Sequence, residues 1–141
     1  MTILIDSNVI MDVIDRSSAW HSWSAERLGT AVESGRRLVI NPIIYAEVSV
    51  PFSSRRLVDE ALRPSQFVRE DLPWSAAFVA GKAFLAYRKR GGERRSPLPD
   101  FFIGAHAQAR RYTVLTRDSA TYRTYFPDVE LIAPTSSGDT A

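Results

Sequence analysis

The sequence contains no cysteine. Disulfides and thiolate metal sites are therefore excluded, and such a chain suits a reducing cytoplasm. No apolar run approaches the ~20 residues that cross a bilayer, so no membrane span is expected. The chain enters an apolar strand at once, without the basic region and apolar stretch of a secretory signal. A cytoplasmic location is the resulting expectation. Lysine is scarce: of 18 basic residues, only Lys82 and Lys89 are lysine. A glycine-rich phosphate loop is also missing. Gly91-Gly92 is too short and wrongly placed for one, so no nucleotide cofactor is expected. There is no internal repeat.

What is present suits one globular domain. The chain has 141 residues, 45% of them hydrophobic and 11% aromatic, enough to build its own core rather than stay disordered. The net charge of +2 hides an arginine bias, with pairs at Arg36-Arg37, Arg55-Arg56, Arg94-Arg95 and Arg110-Arg111. Arginine offers phosphate a planar fork of donors, which makes nucleic acid a natural partner. A GC-rich coding sequence would also favour arginine over lysine. The run Arg88-Lys89-Arg90-Gly91-Gly92-Glu93-Arg94-Arg95 is more pointed, because it forms a basic turn just before the acidic Asp100.

The patterning alternates between elements. Ile3 to Ile5 reads as a buried strand. A helix follows from Asn8 to Ile14, and another from His21 to Glu33, stopped by Gly35. Arg37 to Ile40 is the next strand. Asn41-Pro42 reads as a cap with proline at the first helical position, opening a helix to about Val50. Ser53 or Ser54 starts a further helix that ends near Arg63-Pro64. Phe67-Val68 is a weak strand. Ser75 to Arg90 is a long helix closed by Gly91-Gly92. Pro97 to Asp100 opens a helix through Ala109. Tyr112 to Leu115 and Val129 to Ile132 are late strands, with a short helix at Thr121 to Tyr125 between them. Strands separated by helices predict a three-layer α/β/α fold around a central, mostly parallel, twisted sheet. The domain is expected over residues 1–134, with a polar tail over 135–141.

Four acids fall at related places in this pattern. Asp6 ends the first strand and Glu47 lies in the helix after the second. Asp100 begins the helix after the basic turn, and Asp118 follows a late strand. In a parallel sheet, strand ends and following helix starts share one edge, where ligands bind. Taken singly, Asp6, Asp100 and Asp118 also suit helix caps. Together they predict a cleft of carboxylates that repel one another. A divalent cation would relieve that repulsion. Oxygen ligands without His or Cys point to Mg²⁺ or Mn²⁺ rather than Zn²⁺. Such a site can activate a water for attack on phosphorus. Arg94, Arg95 and Arg117 are candidates for holding the flanking phosphates.

Four segments carry a family resemblance. They are Ile3-Leu4-Ile5-Asp6-Ser7-Asn8-Val9-Ile10, then Pro42 through Ala46-Glu47-Val48, then Pro99-Asp100-Phe101-Phe102-Ile103-Gly104-Ala105-His106-Ala107, and last Leu115-Thr116-Arg117-Asp118. In this order, over about residues 2–134, the chain resembles a PIN-domain ribonuclease, particularly the toxin half of a VapBC-type toxin–antitoxin pair. The resemblance carries the family's acids onto Asp6, Glu47, Asp100 and Asp118 as catalytic metal ligands. Ser7, Asn8 and Thr116 fall on its supporting polar positions. It implies Mg²⁺- or Mn²⁺-dependent cleavage of single-stranded or structured RNA, a homodimer, and silencing by a small antitoxin whose tail lies across the cleft.

Other residues carry less. His106 is about 240° around its helix from Asp100 and is expected in the core or an interface. His21 is expected at the surface. Asp12, about one and two-thirds turns beyond Asp6, is expected to be solvated, as are Asp59 and Glu60. Trp20, Trp23 and the 54–63 helix are expected to form a partner surface. One alternative is a non-catalytic RNA-binding or assembly module, but a negative cluster gains nothing in binding a polyanion. Another is a phosphotransferase with an aspartyl nucleophile. That chemistry wants an acid where Asn8 stands and a late lysine, and no lysine follows Lys89.

Overall fold

The computed structural model describes residues 1–92 and 98–134. Five strands form one sheet in the order β3-β2-β1-β4-β5, and every neighbouring pair is parallel. The strands are β1 (Thr2–Ile5), β2 (Arg37–Ile40), β3 (Val68–Arg69), β4 (Thr113–Leu115) and β5 (Leu131–Ile132). The helices are α1 (Ser7–Ile14), α2 (His21–Glu33), α3 (Pro42–Ser49), α4 (Arg55–Ala61), α5 (Trp74–Lys89), α6 (Leu98–Arg110) and α7 (Ala120–Tyr125). Ile3, Leu4 and Ile5 are all buried, as are Leu38, Val39 and Ile40. Apolar residues on both faces are what a sheet covered on both sides requires.

The topology places a crevice. Crossovers from β1 to β2 and from β2 to β3 step one way across the sheet, and the crossover to β4 steps back past β1. Right-handed crossovers in opposite directions put their helices on opposite faces. The reversal falls between β1 and β4, and the carboxyl ends of strands at such a reversal frame a binding crevice.

Local chemistry explains several boundaries. The Asn41 side chain accepts from the Ile44 N–H at 3.0 Å and Pro42 opens α3. Ser54 does the same for Leu57 at 3.3 Å, opening α4. Gly35 closes α2 at φ 69°, a conformation glycine adopts without strain.

The structure revises some expectations. The weak strand lies at Val68–Arg69 rather than Phe67-Val68, because Phe67 turns into the core while the next two residues pair with β2. The last strand keeps only Leu131 and Ile132 in register with β4. Asp12 is 3% exposed, not solvated. It faces α2 and accepts from Ser24 Oγ at 2.8 Å, Ser18 Oγ at 2.9 Å and Arg117 Nε at 2.7 Å. Trp23 is buried in the core, so it cannot line a partner surface. Asp59 accepts from Tyr45 and Arg69 rather than only from water. The expected tail, residues 135–141, lies outside the described residues.

Aromatic rings join α5, α6 and α7. Phe101 sits edge-on to Phe84, Tyr87 and Tyr125 at centroid distances of 6.3, 5.7 and 5.1 Å. Phe126 seats its ring where Gly104 has no side chain; a Cβ there would overlap that ring. Phe126 is fully buried and cannot swing away. Gly104→Ala is therefore expected to destabilise the protein by about 1–3 kcal/mol, the usual range for overpacking a core. Urea unfolding of both proteins measures the difference; an unchanged midpoint would mean that α7 can move off α6 freely.

Candidate active site

The reversal in strand order brings the predicted residues together. Asp6 follows β1 directly, and its N–H donates to the Leu115 carbonyl of β4 at 2.9 Å. It stands at the N-cap of α1, yet its side chain makes no capping bond. The carboxylate points instead into a polar cluster and is 2% exposed. Its Oδ2 accepts from the Tyr122 hydroxyl at 2.8 Å, from Thr116 Oγ1 at 2.9 Å and from Asn8 Nδ2 at 3.4 Å. Its Oδ1 has a long side-chain contact from Ser7 Oγ, at 3.4 Å, and the backbone N–H groups of Ser7 and Asn8 also act on the carboxylate.

The supporting residues tie the segments to one another. Ser7 Oγ donates to Glu47 Oε1 at 2.8 Å, linking α1 to α3. Asn8 Nδ2 donates to Thr116 Oγ1 at 3.2 Å, and Asn8 Oδ1 accepts from the Arg117 N–H at 3.3 Å. The Asp118 N–H donates to Thr116 Oγ1 at 3.1 Å. Asp100 stands in the first turn of α6, close enough to feel the charges of Asp6, Glu47 and Asp118.

Electrostatics set this cluster apart. Burial pushes the Asp100 carboxyl up to about 7, with further pushes from the carboxylates of Asp6, Glu47 and Asp118. Burial raises Glu47 as well, and the Asp6 charge adds to it while the Ser7 hydroxyl opposes. Burial also raises Asp6, against the lowering effect of the Tyr122 and Thr116 hydroxyls. No ion pair among the described residues involves any of the four acids. An all-oxygen, negatively charged and partly dry cleft with no cationic side chain paired to it among the described residues suits a hard divalent cation. Among the described residues, no three His, Asp or Glu side chains stand close enough together to hold a metal ion as they are.

The basic candidates fare differently. Arg94 and Arg95 lie outside the described residues. Arg117 turns away from the four acids: its Nε holds Asp12 at 2.7 Å, and its guanidinium lies 5.9 Å from the Trp20 ring centroid. Its placement fits a clamp on the loop before Asp118 better than a phosphate contact.

Two features escaped the sequence reading. Tyr122, fully buried on α7, reaches Asp6 across the reversal point. Only its position four residues after Asp118 could have flagged it. The second is a buried network under the carboxyl ends of β2 and β3. Asn41 Oδ1 is taken by the Ile44 N–H, so its amide nitrogen faces His106 Nδ1 at 3.0 Å. That nitrogen must then accept, which leaves the ring proton on Nε2, donated to Glu70 Oε1 at 2.9 Å. Tyr112 donates to the other Glu70 oxygen at 2.7 Å. His106 is therefore a core residue, as expected, and it bonds the helix of Asp100 to the cap of the helix of Glu47.

Comparisons with known proteins agree with this geometry. Residues 3–127 match the family model described as PIN domain. Among solved structures, VapBC2 from Rickettsia felis bound to a promoter DNA fragment aligns with a TM-score of 0.69 at 17% identity, over 94% of this chain and 98% of that one. FitAcB from Neisseria gonorrhoeae gives 0.70 at 18% identity, over 93% and 96%. VapBC-1 from nontypeable Haemophilus influenzae gives 0.70 at 17% identity, over 94% and 98%. At these identities the likeness is one of fold. A curated protein, RecA from Enterococcus mundtii, is 32% identical over 71 residues, which is 50% of this chain and 20% of that protein. The chain thus spans about a fifth of that relative's length, and the match carries no argument about activity.

The raised Asp100 carboxyl has a consequence for stability. In the unfolded chain it titrates near 3.8, and in the folded metal-free protein near 7. As pH rises between these values the unfolded state loses its proton while the folded state keeps it, so stability falls through that window and then levels off. Asp100→Asn removes this contribution while leaving those of Asp6 and Glu47. In EDTA the variant is expected to match wild type near pH 4 and to exceed it by on the order of 1 kcal/mol near pH 7.5. Urea unfolding at both pH values measures this. A difference between the proteins that does not change with pH would remove Asp100 from the repulsive cluster.

Proposed function

The chain belongs to the PIN-domain family, and from that premise we propose that it is a ribonuclease dependent on Mg²⁺ or Mn²⁺, the toxin of a toxin–antitoxin pair. The observation that carries this reading is the cluster of Asp6, Glu47, Asp100 and Asp118, with Asp100 held near 7 by its neighbours and by burial. A protein that only bound RNA would gain nothing from a repulsive negative cleft. The substrate proposed is single-stranded or structured RNA.

In this proposal the four carboxylates would hold the cation. When bound, it supplies an activated water and neutralises charge gathering on the phosphate. The chain's own groups fix the frame for that chemistry. Thr116 and Tyr122 orient Asp6 and favour its charged form, against the upward push of burial, by donating to one of its oxygens. Ser7 holds Glu47, and the Asp118 N–H on Thr116 fixes the loop of Asp118. In the metal-free protein the Asp100 carboxyl retains a proton near neutral pH. Farther along the same sheet edge, Arg55, Arg69 and Tyr45 help line a cavity of about 280 Å³. In register terms it continues the row from Asp6 through Asn41 to Glu70, and it offers room for nucleotides flanking the cut.

The antitoxin partner is proposed from the VapBC complexes among the neighbours in fold. A homodimer is proposed too. Its support is the exposed apolar stripe of α5, where Trp74, Phe78 and Leu85 lie on one helical face and are 91%, 66% and 46% exposed. Buried aromatics are typical of interface cores. No helix among the described residues is long and apolar enough to cross a membrane.

Purified, antitoxin-free protein is expected to cut RNA with Mg²⁺ or Mn²⁺ and to be inert in EDTA or Ca²⁺. Asp100→Asn should lower the rate at least about a hundredfold, equivalent to about 2.7 kcal/mol of transition-state stabilisation. Saturating Mg²⁺ should raise the melting temperature of wild type more than that of the variant. Undiminished cutting in EDTA, or by the variant, would sink the reading. Light scattering at tens of micromolar should return the mass of a dimer, and a strictly monomeric mass would count against the α5 stripe as its interface.

A further inference from the structure

The two oxygens of Asp6 are not equivalent. Oδ2 receives two short bonds, from the hydroxyls of Tyr122 and Thr116 at 2.8 and 2.9 Å. Each hydroxyl has a single proton to give. For Tyr122 the Asp6 contact is its one hydrogen bond among the described residues. Thr116 has a second acceptor within reach, the Asp118 carbonyl at 3.2 Å, but the Asp6 contact is shorter. An sp² oxygen has two lone pairs, so these bonds fill Oδ2. Oδ1 has no short side-chain donor: the Ser7 hydroxyl stands at 3.4 Å and donates to Glu47 at 2.8 Å instead, and what else reaches the carboxylate is the backbone N–H of Ser7 and of Asn8. Asp6 thus has one oxygen filled by hydroxyl donors and one, Oδ1, without a short side-chain partner.

This asymmetry matters for ion choice. Ca²⁺ accepts six to eight oxygens and takes carboxylates by both oxygens, whereas Mg²⁺ demands a compact octahedron and takes few carboxylate oxygens. A carboxylate with one oxygen sealed can serve the second ion and not the bidentate habit of the first. Thr116 is needed for other bonds as well, since it also accepts from Asn8 and from the Asp118 N–H. Tyr122 has no such second task. It is fully buried on α7, and its ring would pack as well without the hydroxyl.

We infer that Tyr122 is a positioning residue that sets ion selectivity: by capping Oδ2 of Asp6, its hydroxyl disfavours Ca²⁺ and keeps the site for the small octahedral cation. The inference rests on the metal-dependent reading above. Its test needs no RNA. Calorimetric titration of antitoxin-free protein with MgCl₂ and with CaCl₂ gives the ratio of the two dissociation constants for wild type and for Tyr122→Phe. The ratio of Ca²⁺ to Mg²⁺ dissociation constants should fall about tenfold in the variant, the lower end of the ~10–100-fold effects that follow loss of a hydrogen-bond partner behind a metal ligand. Circular dichroism checks that the variant is folded. Should it not fold, the wild-type ratio decides: a Ca²⁺ dissociation constant equal to or below that for Mg²⁺ overturns the selectivity assigned to the capped oxygen. A ratio that stays constant or rises overturns the role given to Tyr122 while leaving the metal site intact. Wild type that takes up neither ion overturns the inference together with the reading beneath it.

Discussion

The structure turns on one constraint: carboxylates must be held close together at the edge of a buried sheet without collapsing or flying apart. Asp6 is the hardest of them to place. It sits on the last residue before α1, almost without solvent. An ionised carboxylate in such a place needs donors or a counter-charge. It has donors from three segments, α1, the end of β4 and α7. The bonds that favour the charged form of Asp6 are therefore the same bonds that close α7 and the β4 loop onto β1.

The arginines are disposed so that this negative cluster is left alone. Arg117 pairs with Asp12, Arg37 and Arg110 with Glu70, and Arg55 and Arg69 with Asp59. Most of these pairs are solvent-exposed and contribute little to stability individually. The Arg117–Asp12 pair differs, because Asp12 is buried and also bonded to two serines. Removing either partner there would strand a charge. Its structural effect is to fasten the loop of Asp118 to α1 and α2.

A second fastening works from below. The chain Asn41–His106–Glu70–Tyr112 joins the cap of α3, the middle of α6 and the edges of the sheet. Burial opposes the charge on Glu70, but the hydrogen bonds from His106 and Tyr112 outweigh it and lower its pKa. Each of these four side chains finds a partner, which is the condition under which such a network rigidifies a fold. The helices that carry Glu47 and Asp100 are thereby held in fixed relation before any ligand arrives.

The sequence by itself determined the element order and the parallel sheet, and it singled out the four acids as candidates. Those follow from local rules: apolar triplets make buried strands, Asn41-Pro42 and Ser54 start helices, and a parallel sheet gathers strand ends on one edge. It could not place Asp12, which shares the polar look of a surface residue and is buried only because Arg117, far along the chain, comes to meet it. Nor could it show that Arg117 answers to Asp12, that Trp23 belongs to the core, or that Tyr122 reaches Asp6. Hydrogen-bond partners more than a hundred residues apart leave no spacing to read. Tertiary structure alone decided which oxygen of Asp6 the hydroxyls fill and how far burial lifts Asp100, because both depend on what surrounds a side chain in space rather than on what adjoins it in the chain.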